Sequence, residues 1–192
     1  MNLAFRKPMS LAEFLAWEER QKLRYEFNGV RPIERMTGTV AHAGIQRNLT
    51  IAIGGRLRGS PHKFLGSSLK VEVAGRIRYP DGFVICAPIP PRSTIAHDPV
   101  VIFKVLSEST ARTDIVSKHH EYAATPSVQR YVILAQDEIG GTMFERIDGD
   151  WVGHVLGADA VLRMPEIGVE VPLAEFYEGV ELPARDADHT EA

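Results

Sequence analysis

A lysine stands in the middle of the most apolar segment of this chain. Lys104 lies between Pro99 and Leu106, where its neighbours are valine, isoleucine, phenylalanine and leucine. A run of this length, bounded by a proline and by the polar residues 107–110, predicts a buried strand. An unpaired ammonium group in such a setting costs on the order of several kcal/mol. Lys104 must therefore face a polar cleft or an acidic partner, and Asp81, in a second apolar strand, is the candidate partner.

The size and composition of the chain indicate one globular domain. Its 192 residues are enough for one sizeable core, and 44% hydrophobic with 24% charged residues is an ordinary balance. We expect no membrane-spanning helix, and residues 1–7 lack the apolar core of a signal peptide. The single cysteine, Cys86, excludes an internal disulfide and favours a cytoplasmic location. We expect Cys86 to be a small buried hydrophobe.

Charge is distributed unevenly along the chain. The net charge is −3, which alone argues weakly against nucleic acid as a partner. Residues 47–78, however, hold seven basic side chains and one acid, whereas residues 137–192 hold 14 acids and three arginines. The basic segment would attract a phosphate backbone, so DNA is the expected partner, and an ordinary solvated face is the alternative. The residues expected to contact nucleic acid are Arg47, Arg56, Arg58, Lys63 and Lys70.

The hydrophobic pattern predicts a single α/β domain over residues 1–183. Ser10 and Glu13 have the spacing of a helix capping box, and Asn28-Gly29 predicts a tight hairpin turn. The predicted helices cover about residues 11–20, 40–58 and 111–124. The predicted strands cover residues 23–27, 30–36, 64–73, 79–86, 100–106, 129–134, 142–147, 151–155 and 169–171. This order predicts a mixed central sheet flanked by helices, an αβββαβ core with extra strands at both ends. Residues 184–192 are expected to be a disordered tail.

Several ionisable side chains lie within or beside the predicted apolar strands and helices. Asp81 begins a buried strand, where an ionised carboxylate requires a partner or a metal ion. Glu26 interrupts an apolar strand, although it can also simply pair with Arg24 or Arg31. His42, near the start of the long helix, can equally be a cap or a packed histidine. The remaining candidates share the third predicted helix, where some of them lie four residues apart on one face: Asp114, Lys118, Glu121 and Tyr122.

The order and spacing of these residues resemble the Uma-two (Uma2) family. The matching features are Glu26 before Asn28-Gly29, His42 opening a helix, Tyr79-Pro80-Asp81, Val105-Leu106-Ser107-Glu108-Ser109-Thr110, and then Asp114, Lys118 and Tyr122. Members of that family are restriction-endonuclease-like proteins of the PD-(D/E)XK nuclease superfamily, and the resemblance covers about residues 10–180. It implies an endonuclease that hydrolyses DNA phosphodiester bonds with magnesium or manganese.

The resemblance also implies roles for particular residues. Asp81 matches the first acidic metal ligand, and Glu26 matches an additional acidic residue that would help to hold the metal. Lys118 matches a lysine that positions the attacking water or the phosphate. Lys104 is a departure, because the family has a metal-binding glutamate at this position. An ammonium group repels a cation, so metal affinity and hydrolysis are expected to fall.

Three interpretations of the function follow. The first is a metal-dependent DNA endonuclease. The second is a catalytically inactive nuclease-fold protein that binds nucleic acid or has a structural or regulatory role, with Lys104 paired to Asp81. The third is that Lys104 was introduced into an active protein, by design or by error. A homodimer is a further expectation, because cutting both strands of a duplex often uses two copies of a nuclease.

Overall fold

The computed structural model describes residues 8–35, 38–106 and 118–183, which form a few helices and many short strands. The helical elements are α1 (Leu11–Glu18), α2 (Val40–Arg56), α3 (residues 118–123), and the short 3-10 helices Pro165–Ile167 and Leu173–Tyr177. The strands are β1 (Tyr25–Phe27), β2 (Pro32–Glu34), β3 (Lys63–Gly66), β4 (Lys70–Val73), β5 (Arg76–Arg78), β6 (Gly82–Ile85), β7 (Ile95–Ala96), β8 (Pro99–Leu106), β9 (Arg130–Ala135), β10 (Gly141–Ile147), β11 (Asp150–Leu156), β12 (Val161–Met164) and β13 (Val169–Pro172).

The central element is a six-stranded mixed sheet in the order β11-β10-β9-β8-β6-β3. Strands β8 and β9 are parallel, and the other neighbours in this sheet are antiparallel. A second sheet of five strands has the order β2-β1-β5-β4-β7, and β12 pairs with β13. The mixed central sheet with flanking helices is the predicted fold class. In the described ranges, no helix has both the length and the apolar character needed to cross a bilayer.

Alternating side chains of β8 enter two different hydrophobic cores. Val101, Phe103 and Val105 pack with α2, β12, β13 and the 3-10 helix Leu173–Tyr177. Ile102 and Leu106 pack instead with strand β4 and helix α3. Because successive side chains of a strand point to opposite faces, the two cores cover the two faces of the central sheet. Strand β8 is thus buried on both faces, as its apolar run predicted.

Helix α2 presents its first turn to the end of the central sheet. The side-chain oxygen of Thr39 accepts a hydrogen bond from the backbone N–H of His42 at 3.1 Å, which fixes the start of the helix. Ile45, Leu49 and Ile53 recur at helical spacing and are fully buried against the sheet. His42 is therefore inside the first turn, and it does not cap the helix.

Two predicted strands are wrong because the extended backbone is interrupted within each predicted range. The predicted strand 64–73 is divided by a turn at Ser67, so that β3 and β4 belong to different sheets. The predicted strand 79–86 is preceded by a separate strand, β5, and its regular part begins only at Gly82. Pro80 has no N–H to give to a ladder, and the break that it marks carries Asp81. Strands β5, β7 and β12 were not predicted.

Other expectations also required correction. The hairpin loop has four residues, 28–31, because the side-chain oxygen of Asn28 accepts the backbone N–H groups of Val30 and Arg31 at 3.0 and 2.9 Å. Cys86 is exposed, because it follows the end of β6. Asp114, residues 107–110, the first part of the predicted helix 111–124 and the predicted tail 184–192 lie outside the described residues.

Candidate active site

Asp81 occupies the break between β5 and β6, next to Lys104 on β8. Gly82 pairs with Phe103 in the antiparallel neighbour, so Asp81, which precedes Gly82, lies beside Lys104, which follows Phe103. The backbone N–H of Asp81 donates to the carbonyl oxygen of Phe103 at 3.0 Å. This bond fixes the main chain at the point where the strand begins, and the carboxylate is fully buried.

Four donors converge on the Asp81 carboxylate. Oδ1 accepts from Gln46 Nε2 at 2.6 Å and lies 3.1 Å from His42 Nε2. Oδ2 accepts from the backbone N–H of Val105 at 2.7 Å and lies 2.9 Å from Lys104 Nζ. The predicted contact between Lys104 and Asp81 is therefore present. A carboxylate has about four lone-pair positions, so this set of partners saturates it.

The environment of Asp81 keeps its carboxyl group ionised. Burial alone would raise its pKa, but the hydrogen bond from His42 and the charge of Lys104 outweigh the burial and hold the pKa well below its usual range. The backbone N–H of Val105 acts in the same direction. The Lys104 side chain is 15% exposed, whereas the side chain of its partner is fully buried.

The lowered pKa predicts how the contribution of Asp81 to stability depends on pH. A carboxyl group with a lowered folded-state pKa stabilises the protein above its unfolded pKa of about 4, and the contribution is lost as the pH falls further. We expect the urea midpoint of the protein to exceed that of Asp81→Asn by a constant amount above about pH 5, and the difference to shrink below about pH 4. Urea unfolding at several pH values measures this, and a difference that is unchanged at the lowest pH would contradict it.

Glu26 and Lys118, the second pair of predicted site residues, contact each other. Lys118 Nζ lies 3.1 Å from Glu26 Oε2, and Arg78 Nη1 lies 3.8 Å from the same oxygen. The other oxygen of Glu26 accepts the backbone N–H of Tyr79 at 3.2 Å. Tyr79 precedes Asp81 by two residues, so the Glu26 cluster and the Asp81 cluster meet along one short segment of chain. The pairing of Glu26 with Arg24 or Arg31 is not observed.

The remaining candidates on α3, Glu121 and Tyr122, make contacts that are typical of residues that support the fold. Glu121 forms a two-bond salt bridge to Arg78, at 2.8 and 2.6 Å, and lies 3.2 Å from Arg76. Burial tends to lower the pKa of Arg78, but the bonds and the charge of Glu121 outweigh it and raise the pKa. Tyr122 is 2% exposed and packs edge-on against Tyr131, where burial raises the Tyr122 pKa. Its surroundings are those of a core residue.

The donor set around Asp81 does not fit a divalent metal ion. In the part of the chain that the structure describes, each buried carboxylate already contacts a lysine or an arginine. These contacts are Asp81 with Lys104, Glu26 with Lys118, Glu121 with Arg78, and Glu18 with Lys70. Within the same ranges, no group of three or more His, Cys, Asp or Glu side chains could hold a metal. An ion at Asp81 would first have to displace Lys104.

The residues predicted to bind nucleic acid fall into two groups. Arg47, Arg56, Arg58 and Lys63 are exposed, whereas Lys70 is buried. Three of the five already have partners within the chain: Arg47 with Asn48 and the carbonyl oxygen of Glu178, Arg56 with Glu175, and Lys70 with Glu18. Lys70 is 6% exposed, so a phosphate backbone cannot reach it without breaking a buried salt bridge. The proposed surface therefore does not include Lys70.

Gln46 was not predicted as a site residue. It lies four residues after His42, so both side chains project from the same face of α2 towards Asp81. This spacing is visible in the sequence and could have identified Gln46 once His42 was selected. The backbone N–H of Val105 carries no such signal, because every residue of the strand has one.

Comparisons with known proteins agree on a family and a fold. The sequence model of the Uma2 family, described as "Putative restriction endonuclease", matches residues 11–174. The chain is 28% identical over 176 residues to the "Uncharacterized protein slr1290" of Synechocystis sp., a match that covers 90% of this chain and 93% of that protein. A crystal structure from Anabaena variabilis, titled as "a putative nuclease belonging to DUF820", matches with a TM-score of 0.72 and 18% identity, over 89% of this chain and 98% of that one. This structural likeness shows the fold.

Proposed function

The chain belongs to the Uma2 family of restriction-endonuclease-like proteins, and from this we propose that it is a nuclease-fold protein that binds DNA. Its candidate active site is centred on Asp81, and Lys104 suppresses metal-dependent hydrolysis there. The observation that carries the proposal is the Lys104–Asp81 ion pair at 2.9 Å, at a carboxylate that has no lone pair left for a metal.

Electrostatics explains why this ion pair opposes metal-dependent hydrolysis. Phosphodiester hydrolysis develops negative charge on the phosphate and needs a hydroxide-like nucleophile near neutral pH. A divalent ion neutralises that charge and lowers the pKa of the attacking water. An ammonium group beside Asp81 neutralises the carboxylate and repels a second cation. It can still attract a phosphate oxygen, but it does not lower the pKa of water as a divalent ion does. Binding of DNA can therefore persist where hydrolysis does not.

An active magnesium- or manganese-dependent endonuclease is the second candidate function. In that case Asp81 and Glu26 would hold the ion, and Lys118 would position the water or the phosphate. Two observations favour it: the Asp81 carboxyl is held in its ionised form, and the Lys104 side chain is partly exposed. A homodimer and a cytoplasmic location remain predictions.

Cleavage of plasmid and single-stranded DNA with magnesium or manganese tests the proposal. We expect the protein to bind DNA at low salt without cutting it above background. We expect Lys104→Glu to cut at least about a hundredfold faster, because the charge stabilisation that a metal supplies is worth several kcal/mol. The matched control, Lys104→Glu combined with Asp81→Asn, should lose this activity.

Two outcomes would contradict the proposal in different ways. Robust cleavage by the unchanged protein, abolished by Asp81→Asn, would show that the role given to Lys104 is wrong and that the second candidate is right. An absence of DNA binding at low salt would remove the assignment to nucleic acid.

A further inference from the structure

Two arginines that belong to neither cluster of the candidate site lie side by side at the open end of the β1–β2 hairpin. The backbone N–H of Arg35 donates to the carbonyl oxygen of Arg24 at 3.2 Å, so the two residues are opposite each other across the hairpin. Each guanidinium donates from Nη1 to the same acceptor, the carbonyl oxygen of Ser67, at 3.4 Å. Two positive charges are thus held close together at one point of the surface.

The two guanidinium groups also contact the same aromatic ring. Their central carbon atoms lie 5.9 Å (Arg24) and 5.0 Å (Arg35) from the centre of the Tyr79 ring. Cation–π contacts at this distance are attractive, and they hold both guanidinium groups against the ring. The Tyr79 hydroxyl donates to Glu18 at 2.8 Å, and Glu18 is already paired with Lys70. The ring is therefore fixed from its far end and serves as a rigid platform.

The charge of this pair is not compensated within the described residues. No carboxylate there forms a salt bridge with Arg24 or Arg35. The four buried carboxylates described above contact other cations instead. Like charges directly opposite each other across a hairpin are destabilising. Each guanidinium has five N–H donors, and most of them remain available for an anion. Paired arginines with free donors match the oxygens of a phosphate group.

We propose that Arg24 and Arg35 form a phosphate clamp that holds the backbone of a nucleic acid beside the candidate active site. The inference rests on the proposed function and adds to it the site that positions the strand. Ser67, the shared acceptor, follows Gly66, and Gly66 pairs with Gly82, the residue after Asp81. The clamp and the candidate site therefore lie at the same end of the pairing between β3 and β6.

The test is the affinity of the full chain for a short labelled DNA strand and for the corresponding duplex, measured by fluorescence anisotropy over a range of salt. The double variant Arg24→Ala/Arg35→Ala should bind at least about tenfold more weakly, because it removes the charge-assisted hydrogen bonds to the phosphate. Its slope of log affinity against log salt should fall by about 0.7–0.9 for each phosphate that the variant no longer neutralises. The control Lys22→Ala/Arg31→Ala removes the same charge from two exposed residues of the same region and should change affinity by less than about twofold.

The outcomes separate the clamp from the proposed function. If the unchanged protein binds DNA and both double variants bind equally well, the clamp is wrong and the proposed function stands. If the clamp variant keeps its affinity but melts at a lower temperature, the arginines only support Ser67 and Tyr79, and the clamp is again wrong. If the unchanged protein binds no DNA, both proposals fail. Inorganic phosphate is added as a competitor in the same assay. If it displaces the labelled DNA at a concentration equal to that of the DNA, free phosphate is the ligand and the assignment to nucleic acid is overturned.

Discussion

Replacing Asp81 with alanine is expected to lower the free energy of unfolding by about 3–5 kcal/mol, since it removes one partner of a buried ion pair. The variant leaves Lys104, His42, Gln46 and the backbone N–H of Val105 without their acceptor, in a site where Asp81 is 2% exposed. Buried donors that lose their acceptor incur their desolvation cost in full. Urea unfolding at neutral pH, with the midpoint and slope compared between variants, measures the loss.

Two further variants show whether this loss comes from the ion pair. Combining Asp81→Ala with Lys104→Met removes both charges and should recover part of the stability, because the orphaned ammonium is then absent. Glu175→Ala breaks the exposed ion pair with Arg56 and should cost less than about 1 kcal/mol. An Asp81→Ala variant that is no less stable than Glu175→Ala would mean that the four donors do not depend on this carboxylate.

Replacing Lys104 with glutamate is expected to make the stability of the protein depend on divalent ions. Without metal, the variant places two carboxylates beside each other, which raises the pKa of one and destabilises the fold. With manganese, the two carboxylates can share the ion. A ligand at a hundred times its dissociation constant stabilises the folded state by about 2.7 kcal/mol. Thermal unfolding with and without manganese measures both effects.

The controls for this variant separate charge from coordination. Lys104→Gln removes the positive charge without adding a ligand, so it should gain little from manganese. Calcium and magnesium show whether the effect is specific to one ion. Equal stabilisation of the unchanged protein and of Lys104→Glu by manganese would show that the metal binds elsewhere.

The sequence was sufficient to locate the central ion pair, because the physics of that position is local. A charge within an apolar strand requires a partner whatever the rest of the fold is, and Asp81 was the acidic residue at the start of the other apolar strand. The strand β8 and its burial followed from the same run of residues. The i,i+4 relation of His42 and Gln46 was also available, although only the first was selected.

The sequence was insufficient where a contact depends on register. With the predicted two-residue loop at Asn28-Gly29, Arg24 would face Ile33. The observed four-residue loop, fixed by the Asn28 side chain, places Arg24 opposite Arg35 and creates the proposed clamp. A change of two residues in a loop thus decides whether a pair of like charges exists.

Long-range burial was the other limit. Lys70 was predicted to face nucleic acid because it belongs to a basic segment, but it is buried against Glu18 of α1, a residue 52 positions away. Composition describes the net charge of a segment and does not show which of its charges are neutralised by distant elements. The same applies to Arg56, which is paired with Glu175.

The most direct test of the role of Lys104 is a calorimetric titration of manganese into the unchanged protein at neutral pH and low salt, with Lys104→Glu titrated in parallel. Because the lysine ammonium already neutralises Asp81, we predict no saturable binding to the unchanged protein at millimolar manganese and a single saturable site in the variant. Saturable binding to the unchanged protein that disappears in Asp81→Asn would contradict this account, because it would mean that the ion displaces Lys104 without any change in sequence.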